Sequence, residues 1–379
     1  MPIAALEEPI WIATPSVLEK MTAEISAEPI LAVDTESNSL FAYREEVCLV
    51  QISTPRRDYL IDPFVLHDLS VLAPIFRSKK ILKIFHAAEY DLLCLKRDFS
   101  FEFHNIFDTM IAARILGEPQ VGLGSLLAAR FGITLNKKYQ RANWGSRPLS
   151  KEMLNYARMD THYLFALHEE LEADLKRRRL RRLAQEDFAL VSQVQPQALE
   201  MNGLSCWKTA SGARITSRQA AILHELCRYR DAQARKLDLP HFKVLSDDVL
   251  LQVSLASPHN EEDLKSIPGM SERLVKRHQS GLLQAVETGR HVPPPPRPTR
   301  NRPDQGFLER LGALRVWRKT YARDLKTESD VVLPRELMER IAVSDPADLD
   351  QLGSLMSGTP WRFKQYGREI MKTLKGENY

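Results

Sequence analysis

Apolar residues along this chain come first in short runs and later at helical spacing. Ile30–Val33, Val47–Ile52, Tyr59–Ile61 and Ile81–Phe85 are short stretches rich in branched and aromatic side chains, the signature of β-strands. The brief connections among the first three predict an antiparallel meander. Beyond Phe85 the apolar residues recur every three or four positions, which predicts helices near Tyr90–Arg97, Thr109–Leu116, Gly124–Phe131 and Lys151–Lys176. Strands with helices around them describe a mixed α/β domain, assigned to residues 1–195.

The periodicity lapses near Gln195–Gly203 and resumes from Ser217 as amphipathic helical stretches separated by Pro and Ser-Asp punctuation. A second, all-helical region is expected over 210–290. Residues 291–304 hold four consecutive prolines and several arginines, a composition that makes an extended, semi-rigid spacer. The segment 305–379 beyond it repeats the first helical region. Tyr229-Arg230 and Ala234-Arg235 recur as Trp317-Arg318 and Ala322-Arg323, an offset of 88 that also relates Val244-Leu245 to Val332-Leu333, Pro258 to Pro346, Leu264 to Leu352 and Leu282 to Ile370. The architecture expected is therefore multidomain, α/β plus all-α, with two small helical bundles after the mixed-sheet domain.

A chain of 379 residues exceeds what one core organises, in keeping with that modular reading. Hydrophobic residues at 44% and charged residues at 27% are ordinary for globular proteins, and no apolar run approaches the roughly 18 residues that span a bilayer. No membrane partner is expected. Met1–Glu8 lacks the basic flank and apolar stretch of a secretory signal, so the expected location is cytoplasmic. Cys48, Cys94, Cys206 and Cys227 form no CxxC pair, which argues for reduced, buried thiols over a zinc site or disulfides. A formal net charge of +4 permits nucleic-acid binding without requiring it. Six of the seven residues Lys176–Arg182 are basic, a density that suits phosphate contacts or, equally, a solvated helix end.

Ile30-Leu31-Ala32-Val33-Asp34-Thr35-Glu36 is an apolar strand carrying carboxylates at i and i+2, which point to one face. Two such neighbours repel each other and resist desolvation, so a cation between them is the natural resolution, and hard oxygen ligands favour Mg²⁺ or Mn²⁺. His86-Ala87-Ala88-Glu89-Tyr90-Asp91-Leu92 runs from a strand end into a helix, placing Asp91 or Glu89 in a first helical turn within reach of the same cation. In Tyr156-Ala157-Arg158-Met159-Asp160, the spacing of four sets a phenol and a carboxylate on one helix face. Asp108, before a helical stretch, reads as an N-cap. His86 reads as part of a local hydrogen-bond network.

Taken in this order, the three segments resemble the three motifs of the DEDD family of 3′-5′ exonucleases, in its tyrosine-bearing subgroup. The resemblance covers Pro9–Leu175 and extends to Phe107-Asp108-Thr109 and Asn143-Trp144-Gly145-Ser146-Arg147-Pro148-Leu149. The helical regions resemble helicase-and-ribonuclease-D C-terminal (HRDC) domains, the first more closely than the second. The resemblance implies a ribonuclease-H-like catalytic domain in which Asp34, Glu36, Asp91 and Asp160 hold two divalent ions, Mg²⁺ or Mn²⁺, about 3.5–4 Å apart astride a phosphate. Water would be the nucleophile, Tyr156 would orient it, and the product would be a nucleoside 5′-monophosphate.

Position along the chain, together with the resemblance, gives further expectations. Trp144 and Arg147 are placed to stack on a terminal base and grip a phosphate, or, for Trp144, to pack internally. Arg228, Arg230, Arg235, Lys236, Arg318, Lys319 and Arg323 are candidates for RNA contacts from two tethered modules. The expected partner is RNA with a free 3′ end, tRNA precursors and small stable RNAs included, acted on by a monomer without a small-molecule cofactor. A DNA exonuclease and a non-catalytic RNA-binding scaffold are the rival readings.

Overall fold

The computed structural model describes residues 7–196, 205–210, 212–296 and 304–376. The chain forms two compact units, one of Met1–Ser37, Val47–Pro196 and Arg302–Tyr379, the other of Asn38–Glu46 and Gln197–Asn301. The first contains a mixed sheet of six strands: β1 (Ile10–Ile12), β2 (Ile30–Ser37), β3 (Val47–Ser53), β4 (Asp58–Ile61), β5 (Leu82–Phe85) and β6 (Ile106–Asp108). Their order is β1-β4-β3-β2-β5-β6, antiparallel from β2 through β3 to β4 and parallel elsewhere. The expected meander is thus the centre of the sheet. β1 and β6 lie at its edges; each has only three residues, too few for an alternating pattern to register in the sequence.

Helices cover both faces, so β3 is buried along its whole length. Leu31 and Val33 of β2 pack on one side with α1 (Pro15–Ser26) and α2 (Glu89–Phe99). Ala32, between them, joins the opposite core with α3 (Thr109–Ile115), α4 (Leu123–Phe131), α5 (Lys151–His162), α6 (Leu164–Arg177) and α7 (Arg181–Ser192) around that face. The continuous helix expected over Lys151–Lys176 is two helices meeting at Tyr163. Its φ of −90° and ψ of −4° lie close enough to helical values that no Gly or Pro marks the break.

The helical segment after the linker belongs to this same unit. It comprises α13 (Gln305–Leu325), α14 (Ser329–Val332), α15 (Arg335–Ser344), α16 (Leu349–Leu355) and α17 (Pro360–Leu374). Arg362, fully buried, pairs with Glu186 at 3.1 Å and Asp187 at 2.8 Å on α7 and donates to the Val331 carbonyl. Arg114 pairs with Glu328 at 2.7 Å and Asp330 at 2.5 Å. The Lys326 carbonyl lies 2.0 Å from where a Cβ on Gly117 would stand, at φ +73°, so only glycine permits this approach. A freely tethered second module is therefore corrected: buried ion pairs and close backbone contact fix it to the exonuclease helices. Residues 297–303 of the proline-rich stretch lie outside the described residues.

The other unit contains α8 (Ser217–Leu237), α9 (His241–Val244), α10 (Asp247–Ala256), α11 (Glu261–Lys265) and α12 (Glu272–His291). α8, α9 and α10 begin and end 88 residues before α13, α14 and α15. Each apolar pair named from the repeat is buried: Val244 and Val332, Leu245 and Leu333, Leu264 and Leu352, Leu282 and Ile370. Arg230 and Arg318 also repeat a contact, donating to the Leu245 carbonyl at 3.1 Å and the Leu333 carbonyl at 2.9 Å. These two arginines staple their own modules, which corrects their reading as phosphate contacts; Lys236, Lys319 and Arg323 remain exposed. Elsewhere the modules differ: Tyr229 hydrogen-bonds His278 at 2.9 Å, whereas Trp317 packs edge-on against Tyr366. Gly281 lets the Tyr229 ring approach within 2.1 Å of where its Cβ would be. The loop Asn38–Glu46 joins this unit through Tyr43, whose hydroxyl donates to Asp231 at 2.7 Å.

Cys48, Cys94 and Cys227 are buried thiols outside any disulfide among the described residues, as expected; the side chain of Cys206 lies outside the description. No helix among the described residues is long and apolar enough to cross a membrane.

Candidate active site

The face of β2 that carries Ala32 continues through Asp34 and Glu36, and α5 lies across it. Ser150 starts α5, its hydroxyl accepting from the Met153 N–H at 3.2 Å. One turn of this helix brings Tyr156 and Asp160 over the strand. Asp34, Glu36 and Asp160 each offer a carboxylate oxygen, and the three atoms lie within 4.8 Å of one another.

Asp91 approaches from the other side, in the first turn of α2. Its Oδ1 accepts from the Thr35 N–H at 3.0 Å and the Thr35 hydroxyl at 2.5 Å, so the residue between the two strand carboxylates holds the helix carboxylate in place. Glu89 is exposed and Asp91 is buried, which decides between the two in favour of Asp91. Asp108 does more than cap α3. Besides the N–H groups of Met110 and Ile111 it accepts from Ala87 at 3.1 Å and Ala88 at 2.7 Å, fixing the turn with φ +63° at Ala87 that launches α2. No sequence signal marks this second role, because it depends on β5 and β6 pairing side by side.

Burial, then the mutual repulsion of the carboxylates, holds Asp34 and Glu36 well above the usual carboxylate range. Burial also pushes Asp160 up to about 7, and Asp91 up to about 7 against the lowering effect of its Thr35 bonds. Acids so arranged cannot ionise together without a compensating charge. An all-oxygen donor set of this kind fits a hard divalent cation, which would restore ionisation.

Asp34, Glu36, Tyr156 and Asp160 line a cavity of about 750 Å³. Its lining also includes Asn136, Lys137, Lys138 and Tyr139, a basic and aromatic segment that sequence reading passed over although Lys-Lys-Tyr is its visible signal. Tyr156 meets the Tyr139 ring edge-on at 5.9 Å. Burial, followed by the charges of Asp160, Glu36 and Asp34, pushes the Tyr156 phenol upward and keeps it protonated. His86 also lines the cavity and contacts the Thr109 hydroxyl at 2.9 Å, the local network expected of it; burial lowers it to about 4, so it is neutral at pH 7.

Trp144 and Arg147 do not face the cavity. Trp144 is 1% exposed and packs with Cys48, Leu49, Leu60 and Ala157. Arg147 bonds both Asp62 oxygens at 2.8 Å and the Cys48 and Trp144 carbonyls, while its guanidinium stacks 4.8 Å from the Phe64 ring centre. Their expected grip on a substrate is corrected: both build the wall behind Tyr156. In the basic run Lys176–Arg182, Lys176 and Arg181 pair with Glu172, Arg177 pairs with Asp174, and Arg178 donates to the Leu116 and Leu325 carbonyls, while Arg179 and Arg182 are exposed.

Comparison with known proteins agrees with this geometry. The 3'-5' exonuclease family model matches residues 9–176, and the HRDC domain model matches 219–286 and again 307–374. Residues 9–176 are thus a 3'-5' exonuclease domain, followed in the same chain by two HRDC domains. Along nearly its whole length it is similar to bacterial ribonuclease D: 28% identical over 377 residues to that of Sphingobium indicum, covering 96% of this chain and 94% of the relative. The crystal structure of Escherichia coli RNase D, an exoribonuclease involved in structured RNA processing, superposes with a TM-score of 0.70 at 25% identity, covering 98% of this chain and 100% of that one. Protein RRP6-like 3 of Arabidopsis thaliana is 32% identical over 284 residues, 67% of this chain, but the match spans only 31% of that longer protein.

Proposed function

We propose that the chain is a divalent-metal-dependent 3′-to-5′ exoribonuclease that releases nucleoside 5′-monophosphates. The observation that carries this reading is the approach of Asp34, Glu36 and Asp160 within 4.8 Å beside a protonated Tyr156, in a cavity large enough for a terminal nucleotide. Two bound ions, Mg²⁺ or Mn²⁺, would supply Lewis-acid activation of water and neutralise the phosphate. Asp34, Glu36, Asp91 and Asp160 are the residues that hold them. Tyr156 donates its hydroxyl proton in a hydrogen bond to the attacking water's oxygen and so fixes its line of approach, since a phenol raised above its ordinary pKa of about 10 cannot abstract the proton. Lys137 and Lys138 line the same cavity, where incoming phosphates would meet them.

The ribonuclease names of the full-length relatives favour RNA over DNA. That its substrates are tRNA precursors and small stable RNAs with short 3′ overhangs, and that it acts as a cytoplasmic monomer, are parts of the same proposal that rest on the family resemblance alone. The test is 5′-labelled single-stranded RNA and matched DNA incubated with Mg²⁺, Mn²⁺ or EDTA, with Asp34→Asn as control. A ladder shortening from the 3′ end of RNA, lost in EDTA and at least about 10³-fold slower in the variant, is the expected result. RNA left intact under every metal condition would move the protein to the non-catalytic scaffold reading, and preferential loss of DNA to the DNA exonuclease reading.

A further inference from the structure

Asp34, Glu36, Asp160 and the Tyr156 phenol occupy one side of α5 and the strand beneath it; the other side of α5 carries a second, buried polar cluster with no part in that chemistry. Arg158, two residues from both Tyr156 and Asp160, donates to Asp58 on β4 through Nε at 3.0 Å and a terminal nitrogen at 2.7 Å. His162 Nδ1 reaches the same Asp58 Oδ2 at 3.0 Å. The Ser53 hydroxyl donates to Asp58 Oδ1 at 2.7 Å and accepts from the Thr161 hydroxyl at 2.7 Å. Asp58, Arg158, Ser53 and Thr161 are all buried.

Three successive residues with side chains on this side of α5, Arg158, Thr161 and His162, are therefore bonded to two adjacent strands through a single carboxylate and a single hydroxyl. The cross-strand pairing of Ser53 with Asp58 sets those two acceptors side by side. Such a lattice resists both rotation of α5 about its axis and sliding along it. Burying this much charge is a poor way to gain stability, because removing both partners in favour of apolar groups is often neutral or stabilising. What directional bonds supply and apolar packing does not is one angular setting of the helix. The setting matters here because the atoms at the tips of Tyr156 and Asp160 are far from the helix axis: a rotation of about 10° moves a tyrosine hydroxyl by more than about 1 Å, and errors of that size lower rates by about 10²-fold.

The geometry points to Asp58, Arg158 and His162 as positioning residues that lock α5 so that Tyr156 and Asp160 meet Asp34 and Glu36. This rests on the exoribonuclease reading for its effect on rate, but its effect on metal affinity stands apart from that reading. The informative variants are Asp58→Asn and the double substitution Asp58→Leu with Arg158→Met, in the full-length protein. The double variant removes both charges at once and so leaves no unpaired buried charge, while Asp58→Asn keeps an acceptor for Ser53 and His162 and decides the question by the same Mn²⁺ comparison should the double one fail to fold.

Mn²⁺ binding by titration calorimetry, thermal melting, and single-turnover cleavage across RNA concentrations are measured on each. The expected result is a double variant that melts at or above the wild-type temperature, binds Mn²⁺ about 5- to 10-fold more weakly, and cleaves about 10- to 100-fold more slowly at saturating RNA with the half-saturating RNA concentration within about twofold. A stable double variant with wild-type Mn²⁺ affinity overturns the proposal and leaves the cluster a packing feature. Wild-type protein that binds Mn²⁺ but degrades no RNA would instead overturn the function proposed above, while the affinity comparison still decides the role of the cluster.

Discussion

Tyr156 faces three carboxylates and is half-buried, and each of these facts disfavours a phenolate. Its substitution by Phe removes only the hydroxyl from a ring that Tyr139 and Trp144 already hold, so the cavity wall persists. The expected outcome is single-turnover cleavage slowed by about 10²-fold with Mn²⁺ affinity unchanged; wild-type rates would remove the hydroxyl from the mechanism. The carboxylates themselves make a statement about pH. Asp34, Glu36, Asp91 and Asp160 all titrate above their unfolded values, two of them at about 7, so the folded chain holds protons that the unfolded chain has already released. Their combined effect favours folding below the ordinary carboxylate pKa of about 4 and is lost as pH rises toward 7. In EDTA, the contribution of this site lowers the melting temperature between pH 5.5 and pH 8, and saturating Mn²⁺ raises it more at pH 8 than at pH 5.5. Equal Mn²⁺ shifts at the two values would mean that the ion does not bind these acids. Strand and helix periods made the pairs Asp34–Glu36 and Tyr156–Asp160 legible, while the meeting of the two pairs was implied by the family resemblance. Trp144 was not, since a tryptophan in a polar loop reads alike whether its ring is covered or free.

The elements around the site depend on residues whose second partners are distant in sequence. Asp108 shows this most sharply: its neighbours Met110 and Ile111 declare a helix cap, while Ala87 and Ala88 reach it only once β5 and β6 pair. Asp108→Ala leaves four buried or half-buried N–H groups without their acceptor and is expected to cost about 3 kcal/mol of stability. Because the turn it fixes carries α2, the same variant should also weaken Mn²⁺ binding through Asp91. Denaturant unfolding and calorimetry on one preparation check both, and a stability loss without any change in Mn²⁺ affinity would separate the cap from the site. The long helices were readable from their periodicity; the break at Tyr163 was not, since it needs no special residue. The three-residue strands β1 and β6 were also invisible, being recognisable only by what they pair with.

For the whole molecule, the internal repeat announced two similar modules but not their different uses. Arg362, Asp330 and Val331, which dock the second module, have Leu274, Phe242 and Lys243 at the corresponding places in the first. Nothing in the shared apolar skeleton distinguishes them, so only the structure assigns the second module to the exonuclease unit. Arg362→Met leaves Glu186 and Asp187 buried beside an apolar side chain, and a loss of about 3–5 kcal/mol is expected in urea unfolding of the full chain. A loss below about 1 kcal/mol, the scale of a solvent-exposed pair, would place the docking energy in the backbone contact at Gly117 and in Arg114 instead.

Two modules with matching helix boundaries in one polypeptide also invite a folding error, in which a helix from one copy completes the other. Gly281 and Tyr229 make that exchange self-rejecting. The place of Gly281 is taken in the second copy by Glu369, so α17 inserted against α8 would drive a glutamate side chain into the space that the Tyr229 ring already fills. The same intruder would bring Tyr366 where His278 normally meets the Tyr229 hydroxyl. Divergence at these few interior positions thus acts as a proofreading code for assembly, letting each copy recognise its own last helix while the nascent chain holds both.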